Sequence, residues 1–322
     1  MSFIQKIKYF LTDSGLEKVI LPFYNKYFPQ NNETGGSSEG LYVVQIFLLQ
    51  IYFIKIKNKD IFNANSFDTV CEFGPGDSAA IGMMHTLVND CSKYVAFDAH
   101  PYLNLELTKK SCLDAVALLK DINTDNDLAN IFENHRFKSH IDIELLFLYV
   151  SGNISNKIGL VDEKMIDIKI SEIEYHAPYS LKEFDKKYSF DLIFSQAVLE
   201  HCDNLNEIYS FQESNLSPGG IAYNHIDFKS HGTSFRWNGH YGFSNKRYRA
   251  LQKSNTFQWI NRLPVSFHIS AMQNAGLDIK ELIKFKLAKG IPMNKVSKEM
   301  KSLILDQDDL NTHSSLIICS KE

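Results

Sequence analysis

Residues 69 to 82 read TVCEFGPGDSAAIG: an apolar run breaks at Gly74-Pro75-Gly76 and gives way to Ser78, Ala79, Ala80 and Ile81. An apolar run of strand length that ends in a glycine turn and opens a helix predicts the first strand, turn and helix of a nucleotide-binding α/β sheet. The two glycines let the backbone approach a ligand with no side chain in the way. The turn also reads G-x-G-x-x-A through Gly74, Gly76 and Ala79. Asp98 closes the next apolar run 22 residues after Gly76, so a dinucleotide site is formally satisfied. Glu72 argues against that ligand. A carboxylate two residues before the first glycine crowds a pyrophosphate but suits a ligand carrying an ammonium group, and nothing in the turn restores the attraction for phosphate.

The segments 67–73 and 94–98 predict two strands around a helix that starts near Ser78, a β-α-β unit. Further strands are expected at 172–176, 190–195 and 221–227, and near the end at LDIKELIKF (277–285) and SSLIICS (314–320), with helical stretches between them. Seven strands alternating with helices make an open α/β sheet. Residues 104–168 interrupt this rhythm. A connection of that length with apolar helical patterns such as CLDAVALL and IELLFLYV predicts an inserted helical lid. A second irregular block, 228–264, carries both tryptophans and many aromatic and basic side chains. Such a composition suits a polar, ring-shaped substrate as well as ordinary packing.

The chain has 322 residues, enough for one large domain with additions or for two domains. Its net charge of -4 gives no global attraction to phosphate backbones, so nucleic acid is not a favoured partner. Five scattered cysteines, with no C-x-x-C pair, point to reduced thiols in a cytoplasm rather than a disulfide framework or a structural zinc site. The apolar segment Leu41 to Ile56 is shorter than the roughly 20 residues a spanning helix needs, and it carries Gln45, Gln50 and Lys55. It is expected to be a buried helix on the sheet edge. The first 28 residues do not read as a secretory signal, whereas Phe3, Ile4, Ile7 and Phe10 recur at helical spacing beside Lys6 and Lys8, a pattern compatible with peripheral membrane contact.

Four segments in order, VCEFGPGDS, VAFDAHP, FDLIFSQAVLEHCDN and LSPGGIAYNHID, resemble the signature of class I S-adenosylmethionine-dependent methyltransferases. The resemblance runs from about residue 66 to the C-terminus. TFQWINRLPVSFHISAMQNAGLDI is similar to a bacterial subgroup associated with saccharide or cell-surface biosynthesis. What the resemblance implies is a Rossmann-like seven-stranded sheet with N-terminal helices (1–65), a methyltransferase domain (66–322) and the inserted lid. It also implies a cofactor site. Asp98, with Ala99 beside it, is placed to accept the ribose hydroxyls, Gly74 and Gly76 to admit the cofactor, Glu72 to stand near the methionine end, and Ser195 and Gln196 to line the methionine moiety. Where many relatives carry an acidic residue for adenine, this chain has YHAPYSL, which leaves backbone and Tyr175, His176, Ala177 or Ser180.

Methyl transfer from a sulfonium is an in-line displacement, so alignment supplies much of the catalysis; a hydroxyl acceptor must also lose its proton. His201, just beyond the fourth strand, is a candidate base, and equally a helix-start histidine bonded to backbone. Glu200 is expected to orient that segment. His225 and Asp227, two apart on a strand, share a face and form a second candidate pair; with His231 they match a divalent-metal pattern, or simply a strand end bonding the following loop. Arg236, Trp237, His240 and Tyr241 are candidates for gripping a sugar. The expected activity is O-methylation of a saccharide-like molecule, with another hydroxylated metabolite or lipid as the alternative acceptor. A cofactor-binding fold without turnover, acting as an assembly partner, is the reading from a different class. A nicotinamide oxidoreductase is the most distant.

Overall fold

Strand β1 (Thr69–Phe73) is buried along nearly its whole length. Its sequence therefore reads as an unbroken apolar run with one exception, Glu72, as expected for a parallel strand covered by helices on both faces. In this computed structural model, which describes residues 38–59, 67–89, 91–184, 186–252 and 259–321, β1 pairs in parallel with β2 (Lys93–Phe97) and β4 (Phe190–Gln196). β3 (Glu174–His176) lies outside β2, and β5 (Leu216–Asp227) lies beside β4. The last two strands, β6 (Leu277–Lys286) and β7 (Thr312–Lys321), are antiparallel, with β7 inserted between β5 and β6. The resulting order, β3-β2-β1-β4-β5-β7-β6, is the seven-stranded class I methyltransferase sheet that the resemblance implied. Strand order reverses between β1 and β4, which opens a crevice outside their carboxyl ends, where ligands bind in sheets of this kind.

Helix α1 (Gly40–Ile51), continued by a wider turn over Tyr52–Lys57, departs from its expected place. It packs on a face of the sheet, not on its edge, in one core with Val70, Leu192, Phe194, Tyr223 and Ile318. Its polar residues are used internally: Gln45 donates to the Ile131 carbonyl at 2.6 Å and Gln50 meets the His85 ring at 2.6 Å. By length and composition Gly40–Lys57 is apolar enough to cross a membrane, yet most of it is buried inside the protein. The residues proposed to touch a membrane surface, from Phe3 to Phe10, lie outside the described residues.

The glycine turn leads into α2 (Ala80–Val88). The long connection after β2 is helical as expected: α3 (Leu105–Lys120), α4 (Asp125–Ile131), α5 (Ile143–Tyr149), α6 (Ser155–Leu160) and α7 (Glu163–Ser171). Side chains from these helices, among them Leu119, Leu128, Leu146, Ile158 and Ile166, share the core of α1 and the sheet. The insertion is thus a layer of the fold, and its turn at Arg136 and Phe137 reaches the end of β5. The opposite face is covered by α8 (Leu205–Asn215) and α10 (Val265–Asn274). α9 (Asn245–Gln252) belongs to the second irregular block, and α11 (Gln307–Asn311) leads into β7.

One contact in this frame is tight enough to predict. A Cβ at Gly82 of α2 would overlap the ring of Tyr94 on β2. Gly82→Ala is therefore expected to destabilise the fold by about 1–3 kcal/mol, the usual cost of overpacking. A urea-unfolding midpoint equal to that of the wild type would show that α2 can shift away from β2 without loss.

Candidate functional site

Both turn glycines have left-handed backbone, φ +68° at Gly74 and at Gly76, a conformation that costs other residues about 1–2 kcal/mol. At Gly74 the close approach is to the chain itself: a Cβ would come within 2.5 Å of Val198, so the glycine turn packs directly on the segment after β4. The Gly76 N–H donates to one oxygen of Asp98 at 3.1 Å and the His100 N–H to the other at 3.2 Å. These bonds fix the carboxyl group across the turn and still leave lone pairs for a diol. Burial raises the Asp98 pKa, and the backbone donors at His100, Gly76 and Ala99 hold the rise in check. Ala99 follows at the exposed mouth.

Glu72 does not meet its expectation as a partner for an ammonium group. It is 2% exposed, accepts the hydroxyl hydrogen of Tyr94, and is pushed up to about 8 by burial, against the effect of the Tyr94 and Gly82 donors. At neutral pH it is mostly protonated and ties β1 to β2 and α2. Ser195 is a second correction. Its hydroxyl donates to Asn224 at 2.9 Å, and Asn224 is bonded to Gln212 of α8 in both directions. Adjacent strand residues point to opposite faces, so Ser195 braces one face while Gln196 remains at the crevice. The Gln196 amide meets His225 Nδ1 at 3.0 Å and also touches Tyr42 of α1.

Of the adenine candidates, Tyr175 spans to the His100 carbonyl at 2.9 Å, beside Asp98. His176 instead stacks on Phe97 and pairs with Glu174 at 3.0 Å. Ala177 precedes Pro178 in a cis peptide bond, and Ser180 accepts the Glu183 N–H through its carbonyl oxygen.

Beyond β4 the chain turns through Leu199–His201. Residues 259–263 clamp this turn: the Asn261 N–H donates to the Glu200 carbonyl at 2.8 Å, and the Asn261 amide donates to the carbonyls of Leu199 and Cys202. His201 Nδ1 donates to the Trp259 carbonyl. That bond sets the tautomer and leaves Nε2 as the ring nitrogen with a lone pair. Burial holds the His201 pKa below its ordinary value, with the Trp259 bond opposing, so the ring is neutral at pH 7. Arg262, left-handed at φ +59°, donates to the carbonyls of His240 and Phe243 and to Asn245, and stacks on Tyr248. The sequence WINRL thus pins both His201 and the loop over it.

That loop carries His231, also left-handed at φ +43°. Its ring meets His201 edge-on at 5.0 Å, and its Nε2 lies 4.0 Å from Asp227. Asp227, 8% exposed at the end of β5, is charged: burial works to raise its pKa, but Lys229 at 2.7 Å and His231 bring it below the usual value. Glu200 is 3% exposed, and neither carboxylate oxygen accepts a hydrogen bond of normal geometry. Burial, then the nearby Asp227 charge, raise its pKa far above the carboxylate range.

His225 is not the open base expected of it. It is 2% exposed, its ring packs edge-on against Phe137, and burial drives its pKa down to about 3. It and Asp227 do lie on one face, as the spacing required, yet the insertion sets the Phe137 ring against the histidine and the Arg136 charge beside the aspartate. The proposed sugar-gripping residues are also largely occupied. Arg236 and Trp237 donate to the carbonyls of Lys289 and Ala288, while His240 and Tyr241 are buried. Two crevice residues had no sequence signal, Tyr42 and Arg136, the latter 4.0 Å from Asp227. Both arrive from segments that a local pattern marks only as helix or turn.

No protein-family model matches this sequence, and no curated protein matches it. Solved structures similar to it include a geranyl diphosphate methyltransferase in complex with GPP and sinefungin, with 11% identity, TM-score 0.42, and 87% of this chain against 77% of that one. A geranyl diphosphate C-methyltransferase from Streptomyces coelicolor aligns at 12% identity and TM-score 0.41, over 90% of this chain and 86% of the other. A TehB-like SAM-dependent methyltransferase from Corynebacterium glutamicum aligns at 10% identity and TM-score 0.36, over 96% and 100%. The fold assignment stands on the strand order.

Proposed function

We propose that the chain is an S-adenosylmethionine-dependent methyltransferase that methylates a hydroxyl oxygen on a small, saccharide-like molecule in the cytoplasm. The observation that carries this reading is that the Asp98 carboxyl at the end of β2 and the His201 ring after β4 are each held in a fixed orientation by backbone at the carboxyl ends of the strands. The residues present fit the cofactor. The left-handed turn puts no side chain at Gly74 or Gly76, Asp98 retains acceptor capacity for a ribose diol, and Tyr175 stands beside it. When bound, the cofactor supplies an electrophilic methyl group. The chain's own part is to hold the acceptor in line, with Tyr42, Gln196 and Arg136 on one side, and to take the hydroxyl proton. His201 suits that task because it is neutral and its lone pair is fixed. The WINRL segment, which clamps the His201 turn, supports the saccharide-type acceptor through its likeness to that subgroup.

Titration calorimetry with S-adenosylmethionine, S-adenosylhomocysteine and NAD tests the cofactor. Either sulfur ligand is expected to bind more tightly than NAD, and the reverse order would overturn the reading. Asp98→Ala is expected to weaken cofactor binding by about 1.5–3 kcal/mol, the scale of hydrogen bonds to a charged group. Unchanged affinity in the folded variant would place the ribose elsewhere. Methyl release across a panel of hydroxylated acceptors then separates an enzyme from a binding protein of the same fold.

A further inference from the structure

We propose that Glu200, His201, His231 and Asp227 form a binding site for one divalent first-row transition ion, of the zinc or cobalt class, at the carboxyl ends of β4 and β5. One ligand atom each from Glu200, His201 and His231 lie within 4.8 Å of one another. Asp227 borders them, 4.0 Å from His231 Nε2. An ion drawing the ligand atoms in to about 2 Å is within reach of side-chain rotation.

The independent mark of a ligand is Glu200. A carboxyl group 3% exposed, with neither oxygen accepting a protein hydrogen bond of normal geometry, is costly to bury. Weak backbone contacts at Glu200 and Asp227 offset little of that cost. A cation beside the carboxylate offsets it. The partner set has the features of a ligand shell: His201 is oriented by a carbonyl on its far nitrogen, the usual second contact of a metal-bound imidazole. His231 is held in a left-handed conformation that aims it at the cluster. Two imidazoles with carboxylates select transition ions over magnesium or calcium, which prefer all-oxygen shells.

The ion and an acceptor proton compete for one lone pair on His201. An ion held here would lower the pKa of an acceptor hydroxyl by its own field; that use rests on the methyl-transfer reading, whereas the site does not.

The test uses the full chain freed of metal by a chelator and titrated with Zn²⁺ by calorimetry and with Co²⁺ by visible absorption. Binding of one ion per chain is expected, with a cobalt spectrum of a nitrogen-oxygen site and a rise in melting temperature. Glu200→Gln, close in shape, and His231→Ala, on the loop, are each expected to weaken Zn²⁺ binding by about 10²-fold or more, at or above the loss seen for second-shell partners. His313→Ala, outside the cluster, should bind as the wild type does. No stoichiometric binding by the folded wild type overturns the site, as does unaltered affinity in both cluster variants, or a sulfur-charge-transfer cobalt spectrum that places the ion on a cysteine. Calorimetry with S-adenosylmethionine on the same sample reports separately on the methyl-transfer reading.

Discussion

Replacing His201 with alanine is expected to lower turnover by about 10²–10⁴ while cofactor affinity stays close to that of the wild type, the contribution usual for a positioned proton acceptor. The separation of the two effects follows from the structure. His201 is oriented by the Trp259 carbonyl and meets the loop bearing His231, whereas the cofactor crevice is shaped by the Gly74–Gly76 turn and Asp98. The turn that carries His201 does not depend on its ring, because Asn261 holds the Leu199 and Cys202 carbonyls. Methyl release and cofactor titration on the same preparation check this, with His225→Ala as the contrast. Loss of that buried ring should lower the melting temperature rather than remove a reacting group. If His201→Ala retains near-wild-type turnover on an acceptor that the wild type methylates, alignment alone carries the reaction.

Glu72 sets a pH dependence of stability large enough to measure. Its pKa in the folded chain is about 8 against an ordinary value of 4.5, so folding favours the protonated form. Stability from this group is therefore complete below pH 4.5, declines as pH rises through the interval, and is lost above about pH 8. Over that window the change approaches roughly 5 kcal/mol, at about 1.36 kcal/mol per pH unit. Glu72→Gln keeps the shape and the acceptor for Tyr94 but cannot ionise. The variant should be close to the wild type at pH 5 and more stable than it at pH 8.5, by urea unfolding at both values. Curves that remain parallel would mean that Glu72 is already ionised in the folded protein, and its exclusion as a counter-charge for a cationic ligand would then fail.

The sheet was legible because parallel strands covered on both faces and helices with one covered face impose period and length on the sequence, and every expected strand is present. β1, expected over 67–73, begins at Thr69, and β5 extends back to Leu216 through the Pro218-Gly219-Gly220 segment that reads as a turn. The glycine turn and Asp98 were legible for the same kind of reason: a left-handed backbone and a strand terminus are local facts.

The direction of neighbouring side chains and the partners that meet them were not. Ser195 and Gln196 are adjacent at one strand end, and only packing against Asn224 and α8 decides which of them is withdrawn. His225 and Asp227 share a face, and only the distant Phe137 and Arg136 decide that one meets an apolar ring and the other a charge. Glu200 and His201 come from the turn after β4, Asp227 from the end of β5 and His231 from the loop beyond it, and their convergence requires β4 and β5 to be neighbours. By itself the sequence determined the sheet, its glycine turn and the carboxylate at the end of β2, because each depends on contacts near in the chain or on a repeating period. Only the tertiary structure decided which polar side chains reach the crevice, because burial of a group at a strand end depends on residues tens to hundreds of positions away.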